Sequence, residues 1–228
     1  MKSENSKDTE KIIQDFYENF YDRTFNSDGI AGWAYRKTHK DLEKKVSQAN
    51  INYILEIGAG SAQHLDYVRN NYSEYIMVDL NQQPHRFTDK RLKWIQGNIE
   101  NAQFKQNYFD RIISMCVFHH LTNPAAVMKM IDFWLKPGGT FSLFLPTDPS
   151  FANRLNRKLF ISPKTRKLGF ENYEIVNAIE HQNHFWGIKK MLEHFFSDYE
   201  QKITYKPFGF NFPGLNLYTI WHLRKPEN

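Results

Sequence analysis

A glycine-rich turn is the first stretch of this sequence whose residue types suit binding chemistry. The mostly apolar run 54–57 leads into Gly58-Ala59-Gly60, and helical spacing of apolar residues predicts a helix over 62–71. Glycine is needed where the backbone turns tightly and where a ligand must approach the place that a Cβ would occupy. A buried strand, a glycine turn and a helix in this order are typical of the nucleotide-binding corner of doubly wound α/β proteins.

Polar side chains at the ends of the next apolar runs extend this prediction. Asp79 lies 19 residues after Gly60, and an acid at about that distance binds ribose hydroxyls in dinucleotide-type folds. Glu56 is costly inside a buried strand unless it is paired, so its partner is either backbone and water or the ammonium group of a ligand. Asn98 ends a third apolar run, where its amide could read the edge of a base or simply form a turn.

Four histidines are candidates for proton transfer. His119 and His120 follow the fourth predicted strand, at the edge where α/β sites open, and His181 and His184 lie in a polar and aromatic stretch with Glu180. Imidazole titrates near neutral pH and suits a general base. The alternatives are a helix cap for the first pair and a hydrogen-bonded loop for the second. Because this spacing shows no clear third ligand, we predict no metal.

The predicted elements place these residues at one edge of a sheet. Apolar runs alternate with helical patterns through the middle of the chain, which indicates a parallel sheet with helices on both faces. Glycine and proline join the last two strands, as in an antiparallel hairpin. The predicted strands are 52–57, 74–79, 93–98, 109–116, 140–145, 201–208 and 215–223, with a turn at 136–139. The predicted helices, besides 62–71, are 9–23, 35–48, 123–134 and 187–197.

Composition limits the class of protein. The chain has 228 residues, of which 41% are apolar, and no apolar run approaches the roughly 20 residues that cross a bilayer. The charged start lacks the apolar stretch of a signal peptide. A single cysteine excludes an internal disulfide framework and favours a reducing compartment, so we expect a cytoplasmic protein. The net charge of +5 mildly favours anionic partners.

Taken together, six motifs resemble those of class I S-adenosylmethionine-dependent methyltransferases. The resemblance covers about residues 50–146 and implies a doubly wound, Rossmann-like, seven-stranded mixed sheet whose last strand is antiparallel. Two positions depart from the family pattern, with Ala62 in place of a third glycine and Asn98 in place of a frequent Asp. A nicotinamide dehydrogenase is disfavoured because Gln63 stands where its pattern requires Gly or Ala. The matching motifs are Glu56-x-Gly58-x-Gly60, Asp79, Gly97-Asn98, Phe109-Asp110, His119-His120-Leu121 and Leu135-Lys136-Pro137-Gly138-Gly139.

The resemblance implies S-adenosylmethionine as cofactor and assigns its contacts residue by residue. The glycine turn with Glu56 would hold the amino-acid end, Asp79 the ribose, and Asn98 with Ile99 the adenine. Ser114 and Met115 would line the wall below the methionine portion. An N-terminal helical lid, residues 1–50, would fold over the cofactor, although its aromatic residues could equally serve packing. The predicted cofactor-binding residues are Tyr35, Arg36, Glu56, Gly58, Ala59, Gly60, Asp79, Leu80, Asn98, Ile99, Ser114 and Met115.

The predicted function is methyl transfer to a hydroxyl or amine, with a histidine base. The run after strand four, Ser114-Met115-Cys116-Val117, lacks the Pro-Pro-Tyr-like or Pro-Cys pattern of base methylation, and we expect Cys116 to pack in the core. In this interpretation residues 51–228 form the methyltransferase domain, with an acceptor-site insertion and helix at 149–200.

The acceptor is predicted from a basic segment. Residues 149–170 contain six lysines and arginines and no acid, which favours an anionic small molecule, a glycan or nucleotide-linked sugar, or a lipid at a membrane surface. A solvated helix face is the alternative interpretation. An RNA or tRNA methyltransferase, or a catalytically silent cofactor-binding regulator, are the alternative functions. No recognised RNA-binding appendage is visible.

Overall fold

The computed structural model describes residues 4–25, 28–44, 46, 51–84 and 87–227, and its centre is one mixed sheet. The strand order is β3-β2-β1-β4-β5-β7-β6, and β7 runs antiparallel to both of its neighbours. The predicted seven-stranded fold with an antiparallel last strand is therefore confirmed. The strands are β1 (Tyr53–Ile57), β2 (Glu74–Asp79), β3 (Leu92–Gln96), β4 (Phe109–Met115), β5 (Leu135–Pro146), β6 (Glu200–Lys206) and β7 (Tyr218–Arg224).

Helices flank the sheet and extend from its carboxyl edge. They are α1 (Glu4–Asp15), α2 (Tyr21–Phe25), α3 (Ile30–Glu43), α4 (Pro124–Trp134), α5 (Phe151–Asn156), α6 (Ser162–Lys167), α7 (Tyr173–Glu180) and α8 (Phe185–Phe195). Five-residue π-helical segments join α1 to α2 and α5 to α6. Within the described residues, no helix is long and apolar enough to cross a membrane.

The core lies on both faces of the sheet because successive strand side chains point in opposite directions. Leu55 and Ile112 belong to one buried cluster, to which α4 and α8 contribute Ile131 and Ile188. The neighbouring Ile54 belongs to the cluster on the opposite face. The central strands are thus covered on both sides, as the unbroken apolar runs of a parallel sheet require.

The predicted helix over 62–71 is wrong. Only Gln63–Asp66 is helical, as a single 3-10 turn. Ala62, with φ 57°, adopts the left-handed conformation, which does not start a right-handed helix. The side chain of His64 is buried and contacts Glu43 and His39 of α3. The segment therefore follows the contacts of α3 and not its own apolar spacing.

Other element bounds moved without changing the fold. The first helix begins at Glu4 and the second at Ile30, earlier than predicted, and residues 45 and 47–50 lie outside the described part. The predicted turn 136–139 is a bulge within β5, since Phe109 pairs with Leu135 and Arg111 with Thr140. The last hairpin has a longer loop, at 207–217, than its glycines and prolines indicated.

A buried charge network fixes α3 to the sheet. The guanidinium of Arg111, in β4, donates to both carboxylate oxygens of Glu43 in α3, at 2.7 and 3.1 Å. His64 Nε2 lies 2.9 Å from Glu43 Oε1. Burial raises the pKa of Glu43, but the hydrogen bonds from His64 and Arg111 outweigh burial and lower that pKa to about 2. The N-terminal segment is therefore tied to the core by ionised side chains, which its apolar pattern does not reveal.

Candidate active site

The glycine turn follows β1 at the carboxyl edge of the sheet. Gly58 and Gly60 have φ of 71° and 54°, a region that L side chains rarely adopt. A Cβ on Gly58 would stand 2.1 Å from Val117 Cγ2, whereas a Cβ on Gly60 would meet no described atom within 4 Å. Gly58 thus lets the turn pack against the loop after β4. Gly60 borders open space that a ligand can occupy.

Asp79 holds the tip of this turn. Its Oδ2 accepts a hydrogen bond from the backbone N–H of Gly60 at 2.7 Å, and its Oδ1 accepts two from Asn81 at 2.9 Å. A carboxylate has about four lone-pair sites, so it can still accept a hydroxyl. Leu80, the next residue, is largely exposed. The sheet therefore brings Asp79 and Gly60 into direct contact, as their spacing predicted.

Glu56 is buried at the end of β1, and Tyr75 is its partner. The hydroxyl of Tyr75, in β2, donates to Glu56 Oε2 at 2.7 Å. Burial raises the pKa of Glu56 and is only partly opposed by His64 and by the Tyr75 hydrogen bond. No motif in the sequence singled out Tyr75. Strand register, with Tyr75 opposite Ile54, is the signal that places it beside Glu56.

The predicted adenine and methionine walls follow β3 and β4. Asn98 caps a short helical turn, since its Oδ1 accepts from the backbone N–H of Glu100 at 2.9 Å, and Ile99 is buried. Ser114 is fully buried and Met115 nearly so. Among the described residues, no group hydrogen-bonds Ser114 Oγ. Such an orphaned hydroxyl calls for an explanation such as a ligand or water, and it lies beside Ile57 in the strand register.

Cys116, the residue after β4, is protonated at neutral pH. Burial raises the pKa of its thiol to about 12, and the side chain packs against the buried cluster that contains Met115. A reactive cysteine needs a lowered pKa. The prediction that Cys116 serves packing agrees with this environment.

The N-terminal helices lie over the same edge of the sheet. Tyr35, in α3, is half-buried with its hydroxyl 3.5 Å from that of Tyr21. Burial, followed by the charges that Cys116 and Glu56 carry when ionised, raises the pKa of Tyr35. Arg36 is half-buried on the next position of the helix.

Three of the four candidate histidines meet. One imidazole nitrogen from each of His119, His120 and His181 lies within 4.8 Å of the other two, and we call these residues the histidine cluster. His119 is buried, with its ring centroid 4.2 Å from that of His120 and 4.1 Å from that of His181. His184 is exposed at the N-cap of α8 and is not a member of the cluster.

Carboxylates orient two members of the cluster. His120 Nδ1 lies 3.0 Å from the backbone oxygen of Glu180 and 3.5 Å from its Oε2, and His181 Nδ1 lies 3.0 Å from Asp148 Oδ2. Acceptors at Nδ1 favour the tautomer whose Nε2 carries the lone pair. The hydrogen bond with His120 lowers the pKa of Glu180. His181 Nε2 also contacts the Asn177 amide at 3.2 Å, so His120 has the more available Nε2.

Asn183 joins the two segments that carry the cluster. Its side-chain amide donates to the backbone oxygens of Leu121 and Phe118 at 2.6 and 3.3 Å, and its backbone N–H donates to His119 O at 3.1 Å. The polar stretch 180–186 was predicted to be functional, but Asn183 was not a candidate residue. An Asn between two histidines was the only signal for it.

The same cluster could hold a metal ion. The sequence showed no third ligand beside His181 and His184, whereas the structure supplies His119 and His120. Three imidazoles are a common ligand set for zinc. The prediction that no metal binds stays a prediction.

The glycine turn and the histidine cluster are neighbours. Val117 contacts Gly58, and its backbone oxygen accepts a hydrogen bond from the His120 N–H at 2.8 Å. S-adenosylmethionine fits the first of these sites. The Asp79 carboxylate suits ribose hydroxyls, the open space at Gly60 admits a ligand, and Ser114 offers an unused hydroxyl.

The chain is similar to known methyltransferases. A family model described as a methyltransferase domain matches residues 55–143. An uncharacterised methyltransferase of Mycobacterium tuberculosis is 26% identical over 70 residues, which are 31% of this chain and 36% of that protein. The alignment thus spans about a third of the length of the curated relatives.

Solved structures share the fold along nearly the whole chain. The N-methyltransferase NodS of Bradyrhizobium japonicum, in complex with S-adenosyl-L-homocysteine, has a TM-score of 0.63 at 14% identity and covers 96% of this chain and 99% of its own. The plantazolicin methyltransferase BpumL, also in complex with S-adenosyl-L-homocysteine, has a TM-score of 0.62 at 14% identity and covers 97% and 98%. The methyltransferase-domain model thus matches this chain from β1 to β5, and the chain shares the fold of these solved methyltransferases.

Proposed function

We propose that this protein transfers the methyl group of S-adenosylmethionine to a hydroxyl or amine of a small-molecule, glycan or lipid-linked acceptor that carries negative charge. The observation that carries the proposal is the contact between Gly58 and Val117. It supports the proposal because the glycine turn, which would bind the cofactor, lies against the loop that bears His119 and His120. A methyl donor and a proton acceptor at adjacent positions are what an in-line transfer requires.

The binding half of the mechanism uses the glycine turn. The bound cofactor supplies an electrophilic methyl group on a sulfonium centre. Asp79 would accept hydrogen bonds from ribose hydroxyls while the Gly60 N–H keeps its carboxylate in place. Glu56 would face the amino-acid end, and Ser114 with Met115 would line the wall below the methionine portion. The lid proposed for residues 1–50 would close over this site through Tyr35 and Arg36.

The proton-transfer half uses His120. Its Nε2 would accept the proton of an acceptor hydroxyl during methyl transfer, or that of an acceptor ammonium before transfer, since only the neutral amine has a lone pair for the attack. The Nδ1–H donates to the backbone oxygen of Glu180, and the ionised Glu180 carboxylate stabilises the imidazolium that results. Burial lowers the pKa of His119 well below its usual range, so this neighbour stays neutral and adds no charge against His120.

The basic segment supports an anionic acceptor. An open groove of about 690 Å³ has four cations and one carboxylate in its lining, Arg154, Arg157, Lys158, Arg166 and Glu174. Arg157 Nη1 lies 2.6 Å from Asp148 Oδ1, and Asp148 in turn contacts His181. The groove and the histidine cluster are thus linked through one carboxylate. A phosphate or carboxylate of the acceptor would bind the groove while its nucleophile faces the cluster.

The test is labelled methyl transfer. Cofactor with an isotopic methyl group is incubated with fractionated extract and either the native protein or the His120→Gln variant. We expect a labelled acceptor with the native protein only, and equal cofactor binding by both. Binding without transfer in every fraction would support a silent regulator instead. A labelled RNA whose binding weakens steeply with salt would support the nucleic-acid alternative.

A further inference from the structure

The loop between β6 and β7 exposes an unusual amount of apolar surface. Residues 207–217, the hairpin loop, contain no charged residue. Four large apolar side chains in it, Phe208, Phe210, Phe212 and Leu215, are 44–60% exposed. Contiguous exposed apolar residues of this size mark an interaction site in a natural protein.

The backbone of this loop is nevertheless fixed. Asn216 is fully buried, and its side chain donates to the backbone oxygens of Phe210 and Phe212 at 3.0 Å each. Its Oδ1 accepts from the N–H of Phe208 at 3.0 Å. A buried amide therefore holds the loop in a shape that turns the phenylalanines outward. Their exposure is built into the fold.

A second exposed apolar stripe lies on the helical segment 151–167, the basic helix. Phe151, Leu155 and Leu159 recur at a spacing of four, which places them on one face, and all three are 43–68% exposed. Arg154 and Lys158 are exposed at positions adjacent to this stripe. Phe160 is also half-exposed. The pattern is that of a helix which lies in a membrane interface, apolar on one side and flanked by cations.

The two segments form one surface. The N–H of Ala152 donates to Gly214 O at 3.2 Å, and the Asn153 amide donates to Leu217 O at 2.8 Å. The start of the basic helix is thus bonded to the hairpin loop. We call the combined surface the aromatic-basic face.

The charges on the aromatic-basic face indicate which kind of partner it binds. Arg157 is paired with Asp148 and Glu174, but Arg154, Lys158, Arg166 and Lys167 have no carboxylate partner among the described residues. Exposed rings next to unpaired cations are complementary to a surface that is apolar below and anionic above. We infer that the aromatic-basic face binds the surface of an anionic phospholipid bilayer.

This inference goes beyond methyl transfer and is measured without it. Arg157 and His181 share the carboxylate of Asp148, so the docked face would lie beside the proposed acceptor site and would bring a lipid-linked acceptor to it. Vesicle binding does not depend on cofactor or on the histidine cluster. Failure of vesicle binding therefore leaves the methyltransferase proposal standing, and the reverse also holds.

The test is co-sedimentation of the full chain with large unilamellar vesicles. One set contains phosphatidylcholine alone and the other adds phosphatidylglycerol. We expect binding to the anionic vesicles that weakens with added salt. Each exposed cation near such a surface contributes about 1 kcal/mol, or roughly fivefold in partitioning. Arg154→Glu with Lys158→Glu should therefore reduce partitioning by about 25-fold or more.

Matched control variants distinguish vesicle binding by the aromatic-basic face from nonspecific effects of net charge and of exposed apolar side chains. Lys90→Glu with Lys105→Glu makes the same charge change at two exposed positions outside the aromatic-basic face, and it should change partitioning much less. Phe208→Ser with Phe210→Ser should abolish binding, whereas Phe133→Ser, at an exposed phenylalanine of α4, should not. Because all these side chains are exposed, unfolding temperatures should stay close to that of the native chain.

Three outcomes would overturn the inference. They are no binding to anionic vesicles, equal binding to neutral vesicles, and binding that the paired phenylalanine variant leaves unchanged. A concentration-dependent dimer in the absence of vesicles, abolished by the same variant, would assign the face to a second copy of the chain instead.

Discussion

Gly58 and Gly60 share a backbone conformation but should respond in opposite ways to the same substitution. In Gly58→Ala the new Cβ would stand 2.1 Å from Val117 Cγ2, a distance at which one of the two must move. Overpacking of this kind costs about 1–3 kcal/mol, and the left-handed conformation adds about 1–2 kcal/mol for an alanine. The free energy of unfolding should therefore fall by about 2–5 kcal/mol.

In Gly60→Ala no described atom lies within 4 Å of the new Cβ. Only the cost of placing an alanine in the left-handed conformation remains, so the free energy of unfolding should fall by about 1–2 kcal/mol. The new methyl group would, however, enter the open space at the turn. The free energy of cofactor binding should therefore fall by more than the free energy of unfolding. The Gly58→Ala variant thus reports on packing of the turn, and the Gly60→Ala variant reports on cofactor binding.

The assay is urea unfolding together with calorimetric titration of S-adenosylmethionine. A double variant, Gly58→Ala with Val117→Ala, removes the methyl group that clashes. It should recover the overpacking part of the loss once the separate cost of Val117→Ala is subtracted. The reasoning is refuted if both glycine variants lose the same stability, or if Gly60→Ala binds the cofactor as the native chain does.

Three further predictions follow from the described contacts. His120→Gln should lower kcat by about 10²–10⁴-fold with unchanged cofactor affinity, measured by single-turnover methyl transfer; loss of cofactor binding would contradict a base role. Glu43 has its folded pKa lowered to about 2, so it adds stability above its unfolded pKa that is lost as pH falls through about 4 to 2. Unfolding followed by circular dichroism should show that Arg111→Met weakens that acid step, with the His64 hydrogen bond still in place, and lowers the free energy of unfolding by about 3–5 kcal/mol; an unchanged acid profile would oppose the assignment. Finally, EDTA should leave methyl transfer unchanged, and one tightly bound zinc per chain would instead make the histidine cluster a metal site.

The fold was accessible from sequence because its signals are local. Apolar runs such as 109–116 are buried on both faces, so they remain continuous and easily recognised. The glycine turn and Asp79 are separated by a nearly fixed spacing that follows from one strand, one connection and the next strand. These features need no knowledge of distant contacts.

The remainder depended on contacts between distant parts of the chain. The region 62–71 lost its predicted helix because His64 bonds to α3, and no pattern within the segment reports that bond. Tyr75 became the partner of Glu56 only through strand register. His181 joined His119 because Asn183 bonds to the loop after β4. Such pairings arise from topology, which residue types alone do not specify.

The central claim is that the edge formed by Gly60, Asp79 and Ser114 binds the methyl donor. Isothermal titration of the full chain with S-adenosylmethionine, and separately with its demethylated product, tests it most directly. We expect one site per chain for both ligands in the native protein, and strongly weakened binding in an Asp79→Ala variant that is still folded by circular dichroism. No heat of binding in the native protein, or unchanged affinity in Asp79→Ala, would contradict it.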